Sequence, residues 1–316
     1  MRNEEPKDIV KRERIPGMPL FPKRTLSKKG RTFRKNMTFF LFMLPALIGL
    51  ILFYIKPFGT VVQFSFVDNA YAKNFAGFKN FSDLFQNASF MRALGNSGFL
   101  AVAGTVLLIA LSLFIAELMV RAQWFSSVLK TILLVPFVMP AACVALVFLL
   151  LVDHSEIMLK LFTALGIGSS SGLSNDYALY FVLFLFLWKH TGYFVLLFSG
   201  SLINVDQSVV DAARMDGAGN ARIFFTIKLR AISPSVLFAV LLSVMSSFGM
   251  YREVYLMYGE HPPKTVYLIS HFLHNTMLNT NYSKMSAAAL VVMLLVILLS
   301  VVLIFVERRG GKDLER

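Results

Sequence analysis

The chain has 316 residues, 56% hydrophobic and only 16% charged, with a mean hydropathy of +0.65 and a formal net charge of +13. A soluble chain is about a quarter charged, so this composition excludes a water-covered globule and points to an integral membrane protein. One cysteine, Cys143, excludes a disulfide framework and any multi-cysteine metal site; its apolar surroundings read as those of a small packing residue.

Residues 1–36 form a polar tail with 12 Lys and Arg, suited to lying along an anionic membrane surface. Six apolar runs follow, each close to the about 17–25 residues that a bilayer requires. They are Met37–Ile55, Gly98–Val120, Thr131–Val152, Tyr177–Ser201, Ile232–Met250 and Ser286–Val306. Segments 1–36, 121–130, 202–231 and 307–316 fall on one side and hold 22 Lys and Arg. Segments 56–97, 153–176 and 251–285 fall on the other and hold 8. The basic side is the cytoplasmic one, so both termini are expected in the cytosol. Topology and lipid headgroups account for the basic excess, and nucleic acid is not needed. The expected fold is an all-α integral membrane protein. A transmembrane domain over 37–306 lies between the basic tail 1–36 and a short cytoplasmic tail 307–316.

Charges within spans are costly and mark functional candidates. Lys189, inside the fourth run, either faces a solute path or snorkels to the outer headgroups. Glu117, near the cytoplasmic end of the second run, is expected to reach the interface. A polar-solute path combines aromatic faces with hydrogen-bonding groups in a concavity. Trp188, Lys189, Tyr193, Met245, Phe248 and Tyr251 are therefore the candidate solute-pathway residues. His261, His271 and His274 share an outer segment; the last two, at i,i+3, have a spacing that could hold a metal, but no third ligand stands at a suitable spacing. The expected metal and cofactor content of the chain is none.

No Ser/His/Asp set or carboxylate pair stands out as catalytic, and no Gly-x-x-x-x-Gly-Lys-Ser/Thr phosphate loop occurs. The chain is read as a non-catalytic subunit, without an ATPase of its own.

The cytoplasmic segment 204–230 is the most informative. Asp206 is placed to N-cap a short helix over Gln207–Met215. Gly217 and Gly219 suit a turn needing positive φ or close backbone approach. A second helical stretch over Ala221–Leu229 puts Phe224 and Ile227 on one side. The result is a polar helix–turn–helix finger.

The order of residues here resembles the "EAA" loop of binding-protein-dependent ABC importer permeases. That loop reads Glu-Ala-Ala, two residues, Asp-Gly-Ala, then Phe, Ile and Leu-Pro at fixed offsets. Asp211, Ala212 and Ala213 stand for the first triplet; Asp216, Gly217 and Ala218 match the second. Phe224, Ile227 and Leu229 fall at the expected offsets. Asp211 replaces the family's Glu, and Arg230 replaces its Pro. Beyond residue 37 the chain is similar to the sugar-type permeases related to the maltose and glycerol-phosphate importers. Leu44-Pro45-Ala46 and Pro57 carry that resemblance, as do Gly77 to Phe81, then Phe90, Ala93, Leu94 and Asn96. So do Trp188 to Gly192, and Phe248, Glu253, Tyr255 and Gly259.

The resemblance implies the type I importer permease fold and carbohydrate import across a bacterial inner membrane. It implies a coupling helix in which Asp211, Ala212, Ala213, Asp216, Gly217, Ala218 and Phe224 engage an ATPase. The implied partners are a second homologous permease, two cytoplasmic ATPase subunits that bind ATP and Mg, an extracytoplasmic solute-binding protein and membrane lipid. The alternative is a stand-alone secondary transporter, which needs a coupling carboxylate deep in a span or broken helices. None of the six runs holds such a carboxylate. A membrane enzyme would need clustered catalytic groups at one membrane face.

Overall fold

The computed structural model describes residues 28–69, 71, 74–122, 127–153 and 178–311. The chain divides into two units, Met1–Phe58 and Gly59–Arg316. Most of the basic tail lies outside the described residues, as do Lys312 to Arg316.

In the first unit, helix α1 (Lys28–Leu50) passes through Pro45 and continues in a π-helical turn, Ile51–Ile55. Helix α2 (Lys56–Ser65) follows.

The second unit is helical among its described residues, with one isolated bridge between Val67 and Phe75. Its elements in chain order are α3 (Lys79–Phe85), α4 (Ala88–Arg121), α5 (Ser127–Val138), α6 (Ala141–Asp153) and α7 (Ala178–Ile203). Then come α8 (Gln207–Met215), α9 (Asn220–Ile223), a π turn (Phe224–Lys228) and α10 (Leu229–Ala231). The last are α11 (Ser233–Gly249), α12 (Tyr251–Tyr258), α13 (Ile269–Leu278) and α14 (Tyr282–Gly311).

Among the described residues five helices are long and apolar enough to cross a bilayer: Phe40–Ser65, Ala88–Arg121, Ala178–Ile203, Ser233–Tyr258 and Tyr282–Phe305. A sixth candidate is the pair Val128–Val138 and Ala141–Leu150, bent by 93°. The third apolar run of the sequence is thus a broken element. Pro140 supplies the break: a proline disfavours helical backbone at the residue before it, here Met139. Cys143, expected to pack, is instead exposed on α6.

The core is built on α4 and α7. Leu100, Leu108 and Ala116 of α4 pack with Val182, Leu185, Phe186 and Phe194 of α7, all almost fully buried. Small residues allow these backbones to approach, as is general for helices in membranes. At Gly192 of α7 the approach to α5 is extreme. A Cβ there would lie 1.7 Å from the Leu133 carbonyl oxygen.

Polar groups tie α11 and the segment before α13 to this pair. Thr105 Oγ1 and Ser243 Oγ, 2.8 Å apart and buried, join α4 to α11. At the other end of α4, Asn96 donates to the carbonyls of Lys264 and Tyr267 at 3.0 and 3.1 Å. Nearby, Ser97 Oγ accepts the Ile269 N–H at 2.8 Å. Asn87 N-caps α4 by accepting the Phe90 N–H.

Candidate functional site

Two regions concentrate polar side chains: a cavity among α5, α6, α7, α11 and α12, and the loop between α7 and α11.

The cavity measures about 470 Å³ and lies beside two helix breaks, between α5 and α6 and between α11 and α12. Met139 and Pro140, at the bend between α5 and α6, form one wall. Lys189 and His190 of α7 form another, and Met245, Gly249, Met250, Arg252 and Glu253 close it. Lys189 pairs with Glu253, and both are largely withdrawn from solvent. Burying one of these charges alone would be prohibitive; pairing makes the position tenable. His190 is buried, its Nδ1 2.9 Å from the Phe186 carbonyl.

Of the six pathway candidates, Lys189 and Met245 line this cavity. Lys189 has turned inward to a carboxylate rather than outward to headgroups. Tyr193 stacks on Phe137 at 4.7 Å, one turn from Lys189. Trp188 is partly exposed away from the cavity lining. Phe248 packs against the second hydrophobic cluster, with Phe90 and Phe272. Tyr251 joins an outer aromatic group, with His271 at 4.7 Å and Tyr255 at 5.6 Å. Glu253 plays the part that the composition of the six runs lacked. The fifth span extends to Tyr258, so a carboxylate does lie within it.

The loop begins at α8. Asp206 caps it by accepting the Ser208 N–H at 2.9 Å; the Ser208 hydroxyl first, and then this N–H, lower the Asp206 pKa. Val210 is the buried residue of α8. Asp211, Ala212, Arg214 and Met215 face outward. Asp211 accepts from Gln207 at 3.1 Å and from Arg214 at 2.9 Å, so its charge is held on the exposed face. Met215 is 89% exposed, an apolar knob at the tip that composition alone does not single out.

The turn after α8 explains the Asp216-Gly217-Ala218 triplet. Gly217 has φ +80°. Its N–H bonds the Arg214 carbonyl at 3.0 Å, and the Ala218 N–H bonds the Ala213 carbonyl at 2.9 Å. This pair of bonds is a Schellman C-cap, which needs a left-handed residue where Gly217 stands. Gly219 has no such need: its φ is −69°.

The return limb of the finger is helical from Asn220 to Ala231, with a π turn over Phe224–Lys228. Phe224 packs on the main core, while Phe225 is exposed. Lys228 is 8% exposed and donates to Glu117 Oε1 of α4 at 2.8 Å. Arg121 Nε donates to the same oxygen at 2.6 Å. Glu117 is thus 6% exposed and doubly paired, not an interfacial carboxylate.

Apolar helices of spanning length, a polar mid-span cavity and an outward-facing helical finger together define a membrane permease. The chain belongs to the family described as binding-protein-dependent transport system inner membrane component, whose profile matches residues 108–311. It is therefore a multi-pass inner-membrane component of such a system.

Its relatives include the probable ABC transporter permease protein YurN of Bacillus subtilis (strain 168). The two are 28% identical over 246 residues, 75% of this chain and 84% of YurN. The sn-glycerol-3-phosphate transport system permease protein UgpA of Shigella flexneri is 29% identical over 231 residues, 71% of this chain and 77% of UgpA. Among solved structures, a chain of a bacterial ABC transporter involved in import of the acidic polysaccharide alginate superposes with a TM-score of 0.75. Identity there is 18%, with 90% of this chain and 99% of the other covered. A second alginate ABC transporter, in complex with an alginate pentasaccharide-bound periplasmic protein, gives 0.75 at 17% identity, covering 88% and 96%.

Proposed function

We propose that the chain is one permease subunit of an ATP-driven ABC importer for a carbohydrate or related polyol compound. The single observation that carries this reading is the finger at 204–230, with its capped α8, Schellman turn and exposed Asp211, Ala212 and Met215, in a chain of this family. Relatives named for a polyol phosphate and structural neighbours named for a polysaccharide support the substrate class.

In this reading six spans place both termini in the cytosol. The chain pairs with a second homologous permease above two ATPase subunits, which bind ATP and Mg. An external binding protein delivers the solute. Helix α8 enters a groove on one ATPase subunit: Ala212 and Met215 supply small and apolar contacts, and Asp211 supplies a charge. Phe224 and Leu229 hold the finger to the membrane body, so ATPase closure moves the finger as a rigid element. The cavity at Lys189, Arg252 and Glu253 is the polar station on the solute path.

The test is reconstitution in liposomes with the companion permease, ATPase and binding protein. Carbohydrate uptake and ATP hydrolysis should both require the binding protein. One observation favours a second reading, a secondary transporter: Glu253 is a buried carboxylate beside a broken helix pair. Uptake by this chain alone, driven by an ion gradient without ATP, would establish that reading instead.

A further inference from the structure

Lys228 is the residue of the finger that reaches deepest into charge chemistry, and nothing in the loop's outward face requires it. It lies at the end of the π turn, buried, 111 residues from its partner Glu117. Glu117 Oε1 collects both the Lys228 ammonium and the Arg121 guanidinium. Lys228 and Glu117 are both buried, so losing their contact leaves charge stranded in a low-dielectric setting; Arg121, more exposed, adds a second donor. Phe224 and Leu229, by contrast, make apolar contacts that tolerate small displacements.

Glu117 stands near one end of α4, a helix of 34 residues. That helix is bonded to α11 through Thr105 and Ser243. Its far end holds the carbonyls of Lys264 and Tyr267 through Asn96 and the Ile269 N–H through Ser97. A displacement applied at Lys228 is therefore delivered to the outer segment around α13 by one continuous helix.

We propose that the Lys228–Glu117 ion pair is the positioning link through which the finger drives α4, so that the finger and the second span move as one body. This rests on the importer reading above. Gly217 and Asp211 would set how the finger meets its partner; Lys228 and Glu117 set what that motion moves.

The experiment uses the full reconstituted complex. In E117Q/K228M the buried pair is neutralised and side-chain length is kept; Arg121 loses its carboxylate but is 38% exposed and keeps its solvent. Binding-protein-stimulated ATP hydrolysis and uptake should fall about tenfold in complexes that retain wild-type subunit stoichiometry. The charge exchange E117K/K228E should restore a substantial part of both, since the buried pairing is re-created and Arg121, 38% exposed, can turn to solvent. Stimulation retained in E117Q/K228M, or an assembled exchange variant that stays uncoupled, would overturn the link.

A measurement that leaves the pair intact runs beside these. Spin labels at A122C and T226C, in a Cys143→Ala background, report the α4–finger distance with and without ATP. It should hold within about 2 Å; a change of about 5 Å, one helical turn, would overturn the proposal. A wild-type complex that the binding protein does not stimulate would remove the importer reading, and this inference with it.

Discussion

Lys189 and Glu253, 64 residues apart, close an ion pair on the wall of the mid-span cavity. Each arrives from a different helix, α7 and α12, and neither charge is tenable without the other. Replacing Glu253 by Gln strands the Lys189 ammonium, at a cost on the order of 3–5 kcal/mol. Glu253→Gln should therefore lower the thermal midpoint of the purified protein sharply. The double variant Lys189→Met, Glu253→Leu should recover most of that stability while uptake remains impaired. Normal uptake by the stable double variant would take this pair off the solute path.

Gly192 tests the packing of α5 on α7. A methyl group there meets the Leu133 carbonyl at 1.7 Å, and the obstacle is backbone that cannot rotate away. Gly192→Ala should force the helices apart, at a cost of about 1–3 kcal/mol or more. Gly200 is in the same helix, and a Cβ added there would meet nothing within 4 Å. Gly200→Ala should be neutral or stabilising by about 0.5–1 kcal/mol. Equal melting temperatures for the two variants would contradict the close approach.

The turn at Gly217 makes a prediction of a different kind. Its φ of +80° penalises any residue with a β-branch. Gly217→Asn should be accepted, because Asn enters the left-handed region with little penalty. Gly217→Val should distort the Schellman turn and re-aim α8. In the importer reading that variant inserts into the membrane normally but loses ATPase stimulation. If Val and Asn behave alike in the stimulated assay, the angle set by this turn is not part of coupling.

Much of this arrangement is legible in the chain itself. Long apolar runs mark α4, α7 and α14, and Asp206 with the Asp216-Gly217-Ala218 triplet marks both ends of α8. The charge partners are not legible, for physical reasons. Glu117, near the cytoplasmic end of its run, reads as an interfacial carboxylate; Lys228 reaches it only through tertiary packing. The π turn over Phe224–Lys228 also takes the backbone out of the 3.6-residue phase. Lys228 follows Phe224 by four residues and so shares its core-facing side, but a lysine in a polar loop reads as solvated. Glu253 is hidden for a similar reason: Met250 interrupts span five, and the polar residues beyond it look like an outer loop.

The outer segment supplies a pH prediction. His271 is buried, with Tyr251 and Tyr267 against its ring and His274 one turn away. Its Nδ1 faces the Leu268 N–H at 3.4 Å, and its Nε2 has no hydrogen-bond partner among the described residues. Burial, with a smaller contribution from His274, lowers its pKa from 6.5 to about 4. Between those values the unfolded chain binds a proton that the folded chain refuses, so stability rises with pH across the window. The stabilisation is complete above pH 6.5 and is lost as pH falls towards 4. His271→Asn keeps an acceptor for the Leu268 N–H and removes the titration. The wild-type melting temperature should fall between about pH 7 and about pH 4.5, and the His271→Asn variant should fall less. An unchanged pH slope in that variant would show that acid sensitivity arises elsewhere in the molecule.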